Sequence, residues 1–215
     1  WGWNLGLLWQ LDPKFSIGAA YRSGITVDLS GDIKLKNIAP ALQPLNGGSE
    51  TSSRAHTSID FPDIVTLSAA WHPSSRWTVV IEGEWVGWSS FQSQTITVDQ
   101  PVASAGMGDI VIVQNWRDGW IAKAGTELKI DHYWALRAGY AYLTSSVPSA
   151  TLTPANPDAP QHNYCFGLGY TRDEITIDLF YVFALFQDRK VSNDILSGEY
   201  KNQSHSFGFS VGWQL

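Results

Sequence analysis

The sequence predicts an all-β fold, a transmembrane antiparallel β-barrel, and three observations carry that expectation. Apolar residues alternate with small or polar ones at a period of two along most of the chain. The connections between these segments switch regularly between tight turns and long loops. The tryptophans gather near segment ends rather than along segment middles.

Composition agrees with that expectation. The 215 residues include 11 Trp, 8 Tyr, 9 Phe and 19 Gly, and only 16% are charged, which is too few for an ordinary water-facing surface. The longest apolar run, Phe180 to Phe186, is far short of the roughly 18 residues that a spanning helix needs, so any membrane crossing is by strands. A net charge of −6 without a basic run gives no support to nucleic-acid binding or to a polybasic lipid anchor. Cys165 has no second cysteine to pair with and no cluster of ligands around it, so neither a disulfide framework, a metal nor a cofactor is expected. The chain opens at Trp1, its single methionine is Met107, and no signal peptide is present, so a processed or truncated chain is expected.

Nine strands follow in order. The first, about 1–11, ends at the tight turn Leu11-Asp12-Pro13-Lys14. The second, 14–35, shows the period most clearly: Phe15, Ile17, Ala19, Tyr21, Ile25, Val27 and Leu29 fall on one side, and Ser16, Gly18, Arg22, Thr26, Asp28 and Ser30 on the other. After a loop at 36–54 come strands 55–72 and 76–98, joined by His72-Pro73-Ser74-Ser75. After a loop at 99–109 come 110–130 and 133–146, joined at Asp131-His132. After a loop at 147–160 come 161–171 and 174–191, joined by Arg172-Asp173-Glu174. A loop at 192–198 leads to 199–215, where Phe207, Phe209, Val211, Trp213 and Leu215 oppose Ser206, Gly208, Ser210, Gly212 and Gln214. Pro62-Asp63 and Asp118-Gly119 interrupt their strands, and a bulge is expected at each.

Two aromatic girdles are expected, spaced as a bilayer crossing of about 9 to 11 residues requires. Trp9, Phe15, Trp71, Trp77, Trp134 and Trp213 lie beside the tight turns or the C-terminus, and Trp1, Trp3, Trp85, Trp88, Trp116 and Trp120 lie toward the long loops. If the tight turns face the periplasm, the last strand ends there and Trp1 lies outside. Single-chain barrels have an even number of strands, so at least one further strand is expected before Trp1. The whole of 1–215 is then one transmembrane barrel domain, truncated at its N-terminus, with two open edges.

Motifs in order along the chain resemble the FadL-type outer-membrane transport proteins for hydrophobic compounds. They are Gly2-Trp3-Asn4-Leu5-Gly6, Tyr21-Arg22-Ser23, Phe61-Pro62-Asp63, Trp85-Val86-Gly87-Trp88-Ser89-Ser90-Phe91, Asn115-Trp116-Arg117-Asp118, Leu136-Arg137-Ala138-Gly139-Tyr140, Val147-Pro148 and Pro157-Asp158. The resemblance implies a barrel of 14 strands plugged by an N-terminal hatch, of which these nine would be the last. It also implies uptake of long-chain fatty acids or aromatic hydrocarbons, captured at outer loops, by a full-length protein that is monomeric. Its surroundings would be outer-membrane lipid or detergent, and its C-terminus periplasmic.

The resemblance places a capture groove in part on loop 36–54, which is unusually apolar through Ile38, Leu42 and Leu45. Strand parity directs Arg22, Glu82, Glu84, Arg117, Lys123, Glu127, Arg137 and Asp178 to the lumen. Buried charges pair or stay wet, so Arg22, Glu82, Glu84, Glu127, Arg137 and Asp178 are expected to form a structural network. Arg117, and after it Lys123, are the candidates to hold an acidic headgroup, with Trp116 and Phe180 as aromatic contacts. Ile110 to Val113 are apolar where fatty-acid members of the family would carry basic residues, so neutral hydrocarbons fit as well as fatty acids. A nonspecific porin, an adhesion barrel and an outer-membrane hydrolase are the rival readings. Against the hydrolase, His56, His72, His132, His162 and His205 lie mostly at turns or loop ends with no serine standing out beside one, so no catalytic residue is expected.

Overall fold

Period-two patterning with short turns dictates a meander, and the computed structural model, which describes residues 1–99, 108–193 and 197–214, is built as one. Of Leu45 and Asn46 only the backbone is described. Most of the predicted loop 99–109, the middle of the loop 192–198 and Leu215 lie outside the described residues. In chain order the strands are β1 (Asn4–Asp12), β2 (Phe15–Arg22), β3 (Ile25–Leu35), β4 (Thr51–Phe61), β5 (Ile64–Ser74), β6 (Trp77–Val86), β7 (Ser93–Val98) and β8 (Ile110–Val113). Then follow β9 (Gly119–Lys129), β10 (Trp134–Leu143), β11 (Gln161–Arg172), β12 (Ile175–Phe186), β13 (Arg189–Ser192), β14 (Ser197–Tyr200) and β15 (Gln203–Trp213). Loop 36–54 folds into a 3-10 turn at Pro40–Leu42 and the single helical turn α1 (Gln43–Asn46).

Nine strands form one antiparallel sheet in the order β1-β2-β5-β6-β9-β10-β11-β12-β15, and among the described residues it does not close on itself. It is an all-β partial barrel. The number of strands in this sheet matches the sequence reading, but the long strands are cut. The stretches 14–35, 55–72, 76–98 and 110–130 each break in two, and their far halves form a separate sheet, β3-β4-β7-β8. The stretch 174–191 breaks likewise, and β13 pairs with β14 in a hairpin. The bulges expected at Pro62-Asp63 and Asp118 are therefore corrected to full strand breaks. Proline has no N–H for a ladder, and each aspartate turns its carboxylate onto a neighbouring backbone instead. Actual register shifts sit at the tight turns, at Gln10/Asp12 and Trp71/Ser74.

Register divides the large sheet into two faces. Arg22 pairs with Ile64, Ile64 with Val86, and Glu82 with Lys123, so these residues share one face, together with Glu127, Arg137 and Asp178. The opposite face is apolar and uncovered, with Phe207 78% and Phe209 74% exposed. A surface of that kind is satisfied by hydrocarbon rather than water. Its tight-turn end carries Phe15 stacked on Trp71, and Trp134 against Tyr170. Toward the other end two tyrosine–histidine pairs supply polar edges, Tyr140 with His162 Nδ1 at 2.7 Å and Tyr181 with His205 Nδ1 at 2.8 Å.

The charged face is held by two bridges that tie strands together. Lys123 Nζ donates to Glu82 at 2.8 Å and to Glu84 at 3.0 Å, linking β9 to β6. Arg137 on β10 donates to Glu127 on β9 at 2.7 Å and also reaches Asp178 on β12, passing across β11. That passage requires glycine at 169, because a Cβ there would lie 2.8 Å from Asp178 Oδ1 and 3.0 Å from both terminal nitrogens of Arg137. Gly169→Val is accordingly expected to displace the guanidinium and destabilise the full-length protein by about 1–3 kcal/mol. A lower midpoint in urea unfolding measures it, and an unchanged midpoint would remove this role for Gly169.

Candidate functional site

At the long-loop end, the breaks turn side chains over the charged face. Asn115 adopts φ 50°, a left-handed conformation that asparagine tolerates better than most residues, and its N–H donates to Gln92 O at 2.9 Å. The following residue, Trp116, is thereby aimed inward. Its ring meets Trp88 edge-on with centroids 4.8 Å apart and Phe91 at 5.2 Å, and Trp88 in turn meets Phe61 at 6.4 Å. Trp88 and Trp116, expected in the outer girdle, thus belong to an internal aromatic cluster.

Two cavities flank this cluster. The first, of about 280 Å³, is walled by Val86, Trp88, Trp116, Ile121, Leu143 and Val147, with Asn156 and Asp158 among its polar members. The second, of about 460 Å³, is walled by Trp3, Arg22, Ile25, Phe61, Ile64, Val86 and Trp88. Val86 and Trp88 belong to both.

The second cavity reveals a change of side at the breaks. Ile25 and Phe61 are register partners on the apolar side of the β3-β4-β7-β8 sheet, with Val27 opposite Ile59, whereas Thr26-Asp60, Asp28-Ser58 and Ser30-His56 occupy the other side. Ile25 and Phe61 share the cavity with Arg22, Ile64 and Val86 of the charged face. The apolar stripe that faces away from the charges in the large sheet therefore lies over them beyond the break.

Three aspartates fasten this end. Asp63 accepts the Tyr21 hydroxyl at 2.5 Å and the Gly24 N–H at 2.9 Å. Asp118 accepts the Ser89 N–H at 2.9 Å and the Trp85 indole N–H at 3.2 Å. Asp158 Oδ2 accepts the Ser145 hydroxyl and the N–H groups of Ser146 and Val147, all within 2.9 Å. The side-chain and backbone donors of Ser89 hold the Asp118 carboxyl below the usual range, and the Tyr21 hydroxyl with the Gly24 N–H does the same for Asp63. A lowered folded pKa contributes stability that is present above the unfolded value, near 4, and is lost as pH falls through the folded value. The breaks are therefore expected to loosen only in acid. Amide hydrogen exchange across 115–119, corrected for the intrinsic rate at each pH, should rise below about pH 4, and Asp118→Asn should make it high and nearly independent of pH.

The stretch 144–160 is pinned as a wall of the first cavity. Arg189 donates to Ser145 Oγ at 2.8 Å, Asp158 O at 2.7 Å, Val147 O at 2.6 Å and Ser149 Oγ at 3.1 Å. Thr151 donates to Gln114 O at 2.6 Å, and the Asn193 amide reaches Ser149 O and Leu152 O. Beneath these bonds Val147, Leu152 and Val191 form a buried core against Trp116 and Tyr200.

Of the residues singled out in the sequence, the structure brings Trp116 and Arg22 to the paired cavities. Arg117 adjoins them, its N–H on Ser146 O at 2.9 Å, but its side chain is exposed and lines neither. Lys123, expected to contact ligand, is taken up by Glu82 and Glu84. Arg22, expected in the network, has no side-chain hydrogen bond or ion pair among the described residues, whereas Glu82, Glu84, Glu127, Arg137 and Asp178 are paired. Phe180 stands on the charged face, 51% exposed, away from both cavities, its ring over Gly208. Ile38 and the exposed Leu42 remain on the loop beyond β3, and the side chain of Leu45 lies outside the described residues. Val86, Ile121, Leu143 and Arg189 were not anticipated, since nothing in the alternation separates a cavity-lining apolar residue from any other.

The family model described as outer membrane protein transport protein (OMPP1/FadL/TodX) matches residues 1–214. The long-chain fatty acid transport protein of Escherichia coli (strain K12) is 22% identical over 99% of this chain and 48% of its own length. That of Escherichia coli O6:H1 is 26% identical over 80% of this chain and 39% of its own length. The chain thus spans about half the length, or less, of the curated relatives it matches. Among solved structures, a Pseudomonas aeruginosa FadL homologue superposes with a TM-score of 0.86 at 21% identity, covering 99% of this chain and 52% of that one. The Pseudomonas putida toluene transporter TodX gives 0.70 at 23% identity, covering 98% and 47%. At these identities the superpositions speak for the fold.

Proposed function

Because this chain belongs to the OMPP1/FadL/TodX family of outer-membrane transport proteins, a family of β-barrel transporters and not of enzymes, we propose that the full-length protein takes up hydrophobic compounds. The candidates are those named for its relatives, long-chain fatty acids and toluene-like aromatic hydrocarbons. The long-loop end faces the exterior and the C-terminus the periplasm, and the protein works as a monomer in lipid. Loop 36–54, with Ile38, Leu42 and Leu45, contributes to capture, and the ligand then enters the paired cavities and crosses the barrel. Arg117 stands at the rim, where it meets an approaching acid.

The observation that carries this reading is the aromatic cavity pair, continuous through Ile25 and Phe61 with the apolar side of the second sheet. An apolar enclosure with few polar groups is what a hydrophobic ligand recognises. Uptake of labelled oleate and toluene by cells that carry or lack the full-length protein tests it. Faster uptake of at least one compound in cells carrying it is expected. Equal uptake with and without it, or high flux of water-soluble solutes instead, would refute the proposal.

A further inference from the structure

Four cations lie on the charged face of the large sheet, Arg22, Lys123, Lys129 and Arg137, and their circumstances differ. Lys129 sits exposed at the tight-turn end of β9 and lines neither cavity. Lys123 and Arg137 are each held by two carboxylates. The Arg22 guanidinium, among the described residues, makes no hydrogen bond and no ion pair. It opens into the 460 Å³ cavity, whose other walls are predominantly apolar. The acids nearby are committed elsewhere. Asp63 Oδ1 accepts from the Tyr21 hydroxyl and the Gly24 N–H, and Glu84, which shares a separate cavity with Arg22, is bound to Lys123 at 3.0 Å.

We infer that Arg22 binds the carboxylate of an amphiphilic substrate whose tail runs over Val86 and Trp88 toward Trp116. This rests on the uptake reading and adds the polarity of the bound molecule. A guanidinium offers a planar fork of donors that matches a carboxylate in two parallel hydrogen bonds, and apolar walls around it strengthen the pair. The register Arg22-Ile64-Val86 crosses two strand spacings, about 10 Å, and leads from the cation to the wall common to both cavities. Among the described residues, the lining of the 280 Å³ cavity includes no cation. Its one ionisable group is Asp158, already accepting three hydrogen bonds, so an acid headgroup there would meet like charge and no partner. Head at Arg22 and tail at Trp116 is the orientation in which each end meets its complement.

The test uses full-length protein in detergent, with oleic acid and oleyl alcohol as paired probes followed by tryptophan fluorescence. Arg22→Gln is expected to weaken oleate binding about tenfold or more and to leave the alcohol unchanged, while Arg22→Lys restores part of the oleate affinity. Oleate affinity in the unmodified protein should fall as the ligand becomes protonated in acid, and Arg22→Gln should abolish that dependence. Equal oleate binding by Arg22→Gln, or equal loss of both probes, would overturn the inference while the uptake reading stands. If the unmodified protein binds toluene but neither probe, the inference fails and the uptake reading stands; if it binds none of the three, the uptake reading itself fails.

Discussion

Trp116→Ala is expected to remove the largest single share of hydrophobic-ligand affinity, about 2 kcal/mol or roughly thirtyfold in Kd. The indole does two things at once. It forms the edge-on cluster with Trp88 and Phe91, and it covers the buried contacts of Val147, Leu152 and Val191. Aromatic pairs of this geometry contribute about 0.5–1.5 kcal/mol beyond the area they bury. Because truncation also opens a void beside Leu152, which is fully buried, affinity is to be compared with Trp116→Phe, which keeps a ring in place. Titration of both variants with toluene should rank unmodified protein above Phe and Phe above Ala. Equal affinity across the three would exclude the cluster from ligand binding.

Arg189→Met is expected to have the second large effect, and it acts on structure rather than on contact with ligand. The methionine keeps most of the length of the side chain but removes the donors that serve Asp158 O, Val147 O and two serine hydroxyls. Hydrogen bonds from a charged donor contribute about 1.5–3 kcal/mol each net of exchange with water, and they are weaker where the site is exposed, so a local loss of roughly 2–4 kcal/mol is expected. Amide hydrogen exchange should rise across 145–158 and stay unchanged in β9 and β10. Uniform protection in both proteins would show that Asp158 and Asn193 hold the wall without the arginine.

Much of this fold was readable because a barrel wall obeys one rule at a time. Odd residues from Phe15 to Tyr21 face hydrocarbon, so they are apolar, and the tight turns are short enough to be recognised by their proline or aspartate alone. The charged residues were legible as a face for the same reason. Their partners were not, because parity says which side a group lies on and nothing about reach. Arg137 bonds across β11 where residues 167 and 169 are both glycine, and Arg22, among the described residues, makes no side-chain hydrogen bond or ion pair although it shares a face with Glu84. The breaks were visible as anomalies at Pro62-Asp63 and Asp118, but a bulge and a change of sheet leave the same trace in a single sequence. The inward turn of Trp88 and Trp116 followed from those breaks and was hidden with them.

The crossing from one sheet to the other also bears on how a greasy molecule would travel. Between Phe15 and Leu35 the apolar positions keep the same odd numbering throughout, yet the segment below Ser23-Gly24 is turned outward and the segment above it inward. On the uptake reading, one continuous stripe would serve two solvents, hydrocarbon along the wall and cargo at the long-loop end. A molecule that dissolves in lipid tails would then find, beyond the break, side chains of the same chemistry.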